Sequence, residues 1–223
     1  MNYFTLFITI ALLSWAVSTL LNRRFKQYSK VYLQLTGREV AEKMLRDNGI
    51  YDVRVVSVAG HLTDHYDPRN KTVNLSQTVY EGNSVAAAAV AAHECGHALQ
   101  HAHAYAPLNL RSALVPVVNF ASQWLTWVLL GGILLLNIFP QLLLLGIMLY
   151  ALTTIFAFIT LPVEINASVR AVAWLEQAGI TDRQTTPMAA SALRSAAYTY
   201  VVAALASLGT LIYYIMIFIG RRD

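Results

Sequence analysis

Residues 84–103, SVAAAAVAAHECGHALQHAH, contain an H-E-x-x-H pattern formed by His93, Glu94 and His97. Ser84 is suited to an N-cap position, and the alanine-rich run that follows favours one continuous helix. On such a helix His93 and His97 lie one turn apart on the same face, where both imidazoles can bind one Zn²⁺. The stretch therefore predicts a metal-binding helix around which the remaining fold is organised.

Glu94 lies one position round this helix from His93, within reach of a zinc-activated water. A carboxylate in that place is suited to act as a general base. The pattern thus predicts hydrolysis of peptide bonds by a metal-activated water, with Glu94 as the catalytic base. Cys95, the single cysteine of the chain, is expected to point away from the metal and to serve as a small packing residue.

The composition is typical of a membrane protein, with 57% hydrophobic and 13% charged residues and a mean hydropathy of +0.49. A bilayer-spanning helix needs about 20 apolar residues. Four uncharged stretches meet this length: Tyr3–Leu21, Leu114–Leu136, Leu142–Leu161 and Tyr198–Ile219. The predicted fold class is a mostly α-helical integral membrane protein with about four transmembrane helices and a small α+β zincin-like cytoplasmic catalytic unit.

The four spans divide the chain into five segments. These are a transmembrane anchor (1–21), a cytoplasmic zincin-like segment with the H-E-x-x-H helix (22–113), a transmembrane hairpin (114–161), a cytoplasmic helix carrying a third zinc ligand (162–197), and a last span with its tail (198–223). The two cytoplasmic segments hold 14 of the 16 Lys and Arg residues, as the positive-inside rule requires. We expect the protein in the cell (inner) membrane with its catalytic side facing the cytoplasm, although Arg221 and Arg222 then lie on the opposite side.

Local signals in the segment 22–113 predict a helix, two strands and then the metal helix. A capping box at Thr36–Glu39 begins a helix that ends at Asn48-Gly49. The stretches Ile50–Ala59 and Lys71–Gln77 are predicted strands, with a turn at 67–70 before the second. We expect the second strand to be an edge strand beside the metal helix, where an extended substrate peptide can pair with it.

The basic charge, with a pI near 9.2, follows from membrane topology and does not indicate nucleic-acid binding. The chain has no basic groove interleaved with stacking aromatics, so no nucleic-acid partner is expected. Asn22–Leu35 mixes basic and aromatic residues and is predicted either to lie as a helix against anionic lipid or to continue the anchor. The expected partners are a peptide or membrane-protein substrate and the bilayer, and the oligomeric state is left open.

Two histidines leave a catalytic zinc one protein ligand short. His101 continues their stripe, but in a continuous helix it lies about 12 Å along the axis from His93. Glu164 is the favoured third ligand, because a carboxylate at the mouth of a span is costly without a partner. Two membrane crossings separate it from His97, which places both on the same side. Pro162 is expected to begin a new helix there, and the alternative is that Glu164 is a solvated interfacial residue.

Further polar residues are candidates for supporting roles. Asn166 and Ser168 are expected within reach of the metal ligands. The developing oxyanion needs a donor, for which the candidates are Arg194, Tyr198 and Tyr200. The polar cluster His61, Asp64, His65 and Asp67 predicts a substrate cleft, a second metal site or ordinary hairpin polar residues. Asn74 is a further candidate for the cleft.

Five stretches of this sequence together resemble the YugP-type membrane zinc metallopeptidases. They are HECGHALQH at 93–101, LPVEINAS at 161–168, Asp67-Pro68, Asn74-Leu75-Ser76 and Tyr200-Val201. More distantly, the chain resembles membrane gluzincins of the HtpX and CAAX-processing type. In those proteins a glutamate from a later helix completes the zinc site, which implies Glu164 here; an acidic residue commonly follows four positions later, where this chain has Ser168. The resemblance implies a zinc-dependent endopeptidase.

Three other functions are weighed against this one. A metal-stabilised membrane scaffold or holdase without turnover is disfavoured, because structural zinc has no need of a general base such as Glu94. A protease that cleaves within the bilayer is disfavoured by Gln100 and His101, which are too polar for a helix buried in lipid. A channel or transporter is disfavoured because none of the predicted spans carries an ionisable residue.

Overall fold

The computed structural model describes residues 3–60 and 62–220, which form seven helices and three strands. In chain order these are α1 (Tyr3–Tyr28), α2 (Gly37–Asp47), β1 (Arg54–Val58), β2 (His65–Asp67), β3 (Thr72–Ser76), α3 (Gln77–Tyr80), α4 (Val85–Ala102), α5 (Ala106–Leu134), α6 (Gln141–Gln177) and α7 (Thr186–Gly220). The chain is thus mostly helical with one small sheet, as predicted.

Contacts divide the chain into two compact units. The first, here called the helical unit, comprises Met1–Ala16, Asn109–Leu161 and Thr199–Asp223. The second, here called the sheet unit, comprises Val17–Leu108 and Pro162–Tyr198 and contains all three described strands. The helices α1, α5, α6 and α7 are long and apolar enough to cross a membrane by length and composition, so the expectation of four such helices is confirmed.

Local chain signals determine the helix that precedes the sheet. The Thr36 side chain accepts a hydrogen bond from the Glu39 backbone N–H, and the Glu39 carboxylate accepts one from the Thr36 backbone N–H at 2.8 Å. This capping box starts α2, and Gly49, with φ of 71°, follows its C-cap at Asn48. Glycine adopts this left-handed conformation without strain. Both predicted ends of the helix are confirmed.

The order of the strands corrects one prediction. β3 lies in the centre of the sheet, parallel to β1 and antiparallel to β2, with Val56 and His65 both paired with Asn74. The expectation that strand 71–77 is an edge strand was therefore wrong. The three-residue β2 is too short to show an alternating pattern, so it could not be predicted from the sequence. The edges of the sheet are β1 and β2.

The core of the sheet unit lies between the sheet, α2 and the metal helix α4. Val40, Met44, Val73 and Leu75 are fully buried together with most of the alanines of α4. Cys95 also faces this core, where its Sγ lies 3.6 Å from the Ala41 carbonyl oxygen. Burial raises the pKa of the Cys95 thiol, so it is a packing residue, as predicted.

Two helix boundaries differ from the simplest expectation. α6 continues through Pro162 to Gln177, so the prediction that a new helix begins at Pro162 was wrong. An internal proline costs roughly 3 kcal/mol, but the buried residues Val163, Ala167 and Ala171 hold the following turns against their neighbours. At the other end of the chain α1 runs unbroken to Tyr28, so the anchor helix continues over residues 22–28, whereas residues 29–35 are not helical. Arg221 and Arg222 lie outside the described residues.

Candidate metal centre

His93 and His97 of α4 converge with Glu164 of α6. One potential ligand atom from each lies within 4.8 Å of the other two. The Glu164 Oε2 is 3.4 Å from His93 Nε2 and 3.6 Å from His97 Nε2. Within residues 3–60 and 62–220, this is the one group of three or more His, Cys, Asp or Glu residues with such geometry. The structure therefore brings together the three residues that the sequence analysis proposed as ligands.

A glycine between the two histidines allows the third residue to approach. A Cβ atom on Gly96 would lie 2.7 Å from the Ala167 carbonyl oxygen and 3.1 Å from the Ala167 Cα. Real Cβ atoms do not approach a backbone so closely, so any other residue at 96 would push α4 and α6 apart. Glu164 lies about one helical turn before Ala167, so this approach brings its carboxylate to the two imidazoles.

The three residues lie in a largely buried and negatively charged setting. Glu164 is only 3% exposed and the neighbouring Glu94 only 8%. Burial lowers the pKa of His97, but the close Glu164 carboxylate and the charge of Glu94 outweigh burial, so the pKa is raised above its usual value. Two carboxylates buried beside two imidazoles favour the binding of a cation at this place.

The donor set fits zinc. Two imidazole nitrogens and one carboxylate oxygen are the set of three protein ligands found in many catalytic zinc sites. Metal-bound histidines usually hold their second ring nitrogen in a hydrogen bond. Both histidines meet this condition, because the Nδ1 of His97 lies 3.0 Å from Gln100 Oε1 and the Nδ1 of His93 lies 3.1 Å from Ser168 Oγ.

Gln100 was not among the site residues predicted from the sequence. Its side chain is fully buried, and its Nε2 donates to the Val163 carbonyl oxygen at 2.8 Å and to Asn166 Oδ1 at 3.1 Å. The sequence feature that identifies it is its position three residues after His97, on the same face of α4. A buried glutamine in such a place needs hydrogen-bond partners, which the metal helix and α6 provide.

The structure places Ser168 and Asn166 near His93, His97 and Glu164. Ser168 contacts His93, whereas Asn166 reaches the ligands through Gln100. Asn166 Oδ1 also accepts a hydrogen bond of 2.7 Å from Arg170 Nε, which anchors it one turn further along α6. Both residues belong to the hydrogen-bonded shell that surrounds His93, His97 and Glu164.

Other predicted residues lie elsewhere. His101 is outside the ligand group, and its Nδ1 lies 2.9 Å from the hydroxyl oxygen of Tyr66 on β2. Asn74 is buried in the central strand, where its amide donates to Thr72 and to the His65 carbonyl oxygen, and its role in a substrate cleft stays a prediction. His65 is exposed at the edge of the sheet, and His61 lies outside the described residues.

The candidates for an oxyanion donor all lie on α7. Arg194 and Tyr198 are exposed residues of the sheet unit, whereas Tyr200 belongs to the helical unit. A role in stabilising an oxyanion stays a prediction for all three.

The chain is similar to known sequences over nearly its whole length. The sequence profile of a family described as "Putative neutral zinc metallopeptidase" matches residues 3–219. A Bacillus subtilis (strain 168) protein described as "Putative membrane protease YugP" is 45% identical over 223 residues, which cover 98% of each chain. No solved structure matches the chain significantly. These similarities confirm the resemblance that the sequence motifs indicated.

Proposed function

The chain belongs to the family described as "Putative neutral zinc metallopeptidase", and from this premise we propose that it is a membrane-embedded, zinc-dependent endopeptidase. The observation that carries the proposal is the convergence of His93, His97 and Glu164 from two separate helices, with Glu94 next to one of them. Three protein ligands leave a fourth position for water or substrate, which distinguishes catalytic zinc sites from structural ones.

The chemistry follows from the residues around this point. A Zn²⁺ ion held by His93, His97 and Glu164 would polarise the scissile carbonyl and make water a better nucleophile. Glu94 takes a proton from the attacking water as the water oxygen bonds to the carbonyl carbon. Glu94 then gives that proton to the amide nitrogen as the carbon–nitrogen bond breaks. Water is thereby consumed, and one new carboxyl group and one new amine form.

We propose that the substrate peptide binds along the edge strand β2. This strand lies on one edge of the sheet, and its Tyr66 contacts His101 of the metal helix. An extended peptide can add to such an edge through backbone hydrogen bonds. This proposal replaces the pairing with strand 71–77, because both sides of β3 are occupied within the sheet.

The membrane assignment rests on the surface of the long helices. Large apolar side chains such as Phe4, Trp15 and Trp127 are more than half exposed, which is costly in water and favourable in lipid. The metal helix α4 is not among the four candidate spans, which supports cleavage outside the bilayer over intramembrane cleavage. The distribution of Lys and Arg favours a cytoplasmic site.

The proposed function is tested with the purified full-length chain in detergent, loaded with one equivalent of Zn²⁺ and mixed with a peptide library. We expect cleavage by the wild type, and a reduction of roughly 100- to 10,000-fold in Glu94→Gln, because the amide cannot accept the proton. Glu176→Gln is the matched control, because Glu176 is exposed on α6, and it should cleave like the wild type. Equal cleavage by Glu94→Gln and the wild type would contradict the proposal, and absence of cleavage by zinc-loaded wild type would favour the scaffold.

A further inference from the structure

We propose that Gln100 is a positioning residue that fixes which nitrogen of His97 faces the metal. This inference rests on the proposed zinc site, but it concerns the state of the histidine before any substrate arrives. Gln100 is fully buried, and it contacts His97, Val163 and Asn166. These contacts place Gln100 between His97 on α4 and the backbone next to Glu164 on α6.

The partners of Gln100 determine the orientation of its amide. A backbone carbonyl oxygen only accepts hydrogen bonds, so the Gln100 atom 2.8 Å from the Val163 carbonyl oxygen has to be the donor Nε2. The Oε1 atom then faces His97 Nδ1 at 3.0 Å. An amide oxygen only accepts, so the hydrogen of this bond belongs to His97 Nδ1.

A neutral imidazole carries one hydrogen, so a hydrogen on Nδ1 leaves Nε2 with a free lone pair. Nε2 is the His97 atom that lies 3.6 Å from Glu164 Oε2, at the point where the ligands converge. Without Gln100, the hydrogen is free to move to Nε2 and to point at the Glu164 carboxylate. The ligand atom would then be blocked by a proton, and zinc would have to displace it.

His93 provides a contrast within the same site. Its Nδ1 contacts Ser168 Oγ at 3.1 Å, and a hydroxyl group both donates and accepts. Ser168 therefore tolerates either tautomer of His93, whereas Gln100 permits only one for His97. The two ligands are thus held unequally, and the stronger constraint lies on the histidine whose side chain is the more buried, 11% exposed against 15%.

Gln100 also ties the two ligand-bearing helices together. Val163, whose carbonyl accepts from Gln100, directly precedes Glu164. Asn166, the second acceptor, is itself held by Arg170. One side chain therefore sets the tautomer of His97 and holds α6 on both sides of Glu164, through the Val163 carbonyl before it and the Asn166 side chain after it.

Two variants separate the effect on the His97 tautomer from the link between α4 and α6, and a third variant is the control. Gln100→Leu has a similar volume and removes every hydrogen bond. Gln100→Glu keeps an acceptor for the His97 Nδ1 hydrogen but removes the donor to Val163 and Asn166. Gln177→Leu is the matched control, because Gln177 is an exposed residue at the end of α6.

The test measures zinc affinity by chelator competition and the tautomer of His97 by ¹⁵N NMR of the metal-free protein labelled at histidine. The chain has only 6 histidines, and a His97→Ala spectrum assigns the signal. We expect zinc affinity to fall roughly 10- to 100-fold in Gln100→Leu, the usual effect of losing a hydrogen-bond partner of a metal ligand. The Nδ1–H signal of His97 should be lost in the same variant. Gln100→Glu should restore the signal and most of the affinity, and Gln177→Leu should match the wild type.

Two results would overturn the proposal. One is a Gln100→Leu protein that binds zinc like the wild type and keeps the Nδ1–H signal. The other is a Gln100→Glu protein that binds as weakly as Gln100→Leu, since the tie to α6 and not the tautomer would then matter. If Gln100→Leu does not fold, the Nδ1–H signal of Gln100→Glu decides alone, its presence supporting the proposal and its loss overturning it. A wild type that binds no zinc would defeat the proposed function, whereas the tautomer in metal-free protein still tests the role of Gln100.

Discussion

In both the sheet unit and the helical unit, a glycine allows two helices to approach closely, but the side chains brought together differ. In the sheet unit, Gly96 lets α4 lie against the α6 backbone at Ala167. In the helical unit, a Cβ atom on Gly132 would lie 2.6 Å from the Leu143 Cα, so α5 and α6 also approach closely there. The first approach brings charged and polar side chains together, whereas the second buries only apolar neighbours such as Leu129 and Ile147.

The two units also differ in how they treat buried polar groups. In the sheet unit, Gln100 and Asn166 link one helix to another and surround the ligand group. In the helical unit, the buried Thr154 and Thr160 hydroxyls donate to carbonyl oxygens of their own helix, and Thr154 Oγ1 also lies 2.7 Å from Ser207 Oγ on α7. Polar links between elements specify a geometry, whereas polar bonds within one helix only satisfy the hydroxyl. The links from Gln100 join α4 to α6 immediately around Glu164, so they specify the geometry of the ligand group itself.

The largest expected effect comes from removing one ligand. His97→Ala should weaken zinc binding by at least about 1,000-fold, or about 4 kcal/mol, since a site with two ligands is no longer a catalytic zinc site. The matched control is His101→Ala, one turn further along α4, whose partner is Tyr66. Chelator competition measures both. Loss of zinc in His101→Ala would indicate that His101 is a ligand and would contradict the account.

The next largest effect is expected from alanine substitutions at Gly96 and Gly132. Gly96→Ala should destabilise the protein by roughly 1–3 kcal/mol, because the added methyl group overlaps the Ala167 backbone, and it should also weaken zinc binding. Gly132→Ala should destabilise by a similar amount and leave zinc binding unchanged.

Thermal unfolding and zinc titration separate the outcomes for these two variants. Gly220→Ala, which has open space for the methyl group, is the control. Unchanged zinc binding in Gly96→Ala would show that the close approach of α4 and α6 is not needed for the site.

A smaller effect is expected at Ser168. Ser168→Ala removes the hydroxyl partner of His93 and should weaken zinc binding roughly tenfold, the low end of such losses. The reason is that a hydroxyl constrains the imidazole less than the amide of Gln100 does. An effect larger than that of Gln100→Leu, measured in the same competition assay, would reverse the proposed inequality of the two histidines.

The smallest effect is expected in the helical unit. Thr154→Val removes the 2.7 Å hydrogen bond between Thr154 Oγ1 and Ser207 Oγ. Hydrogen bonds between membrane helices contribute about 0.6 kcal/mol on average, so unfolding in a denaturing detergent should shift by about this amount. Zinc affinity should not change. A change of tenfold or more would show that this hydrogen bond supports the site.

Local chemistry explains what the sequence predicted well. The capping box at Thr36 and the N-cap at Ser84 act within a few residues, so both helices could be placed from the chain alone. Glu164 was found because a carboxylate at the end of an apolar stretch needs a partner. The grouping of His93, His97 and Glu164 in the structure agrees with that reasoning, and their binding of zinc stays a proposal.

Contacts between distant elements explain what the sequence did not predict. The strand order depends on β2, whose three residues carry no recognisable pattern. The continuation of α6 through Pro162 depends on packing of the turns that follow it. The role of Gln100 depends on which part of α6 lies opposite it, and no pattern within α4 contains that information.

The most direct test of the central claim is the zinc content of the purified protein, measured by mass spectrometry for the wild type, Glu164→Gln and Glu94→Gln. We predict close to one zinc per chain in the wild type and in Glu94→Gln, and little or none in Glu164→Gln, because an amide oxygen is a much weaker zinc ligand than a carboxylate. Full zinc content in Glu164→Gln would show that Glu164 is not the third ligand and would contradict the account.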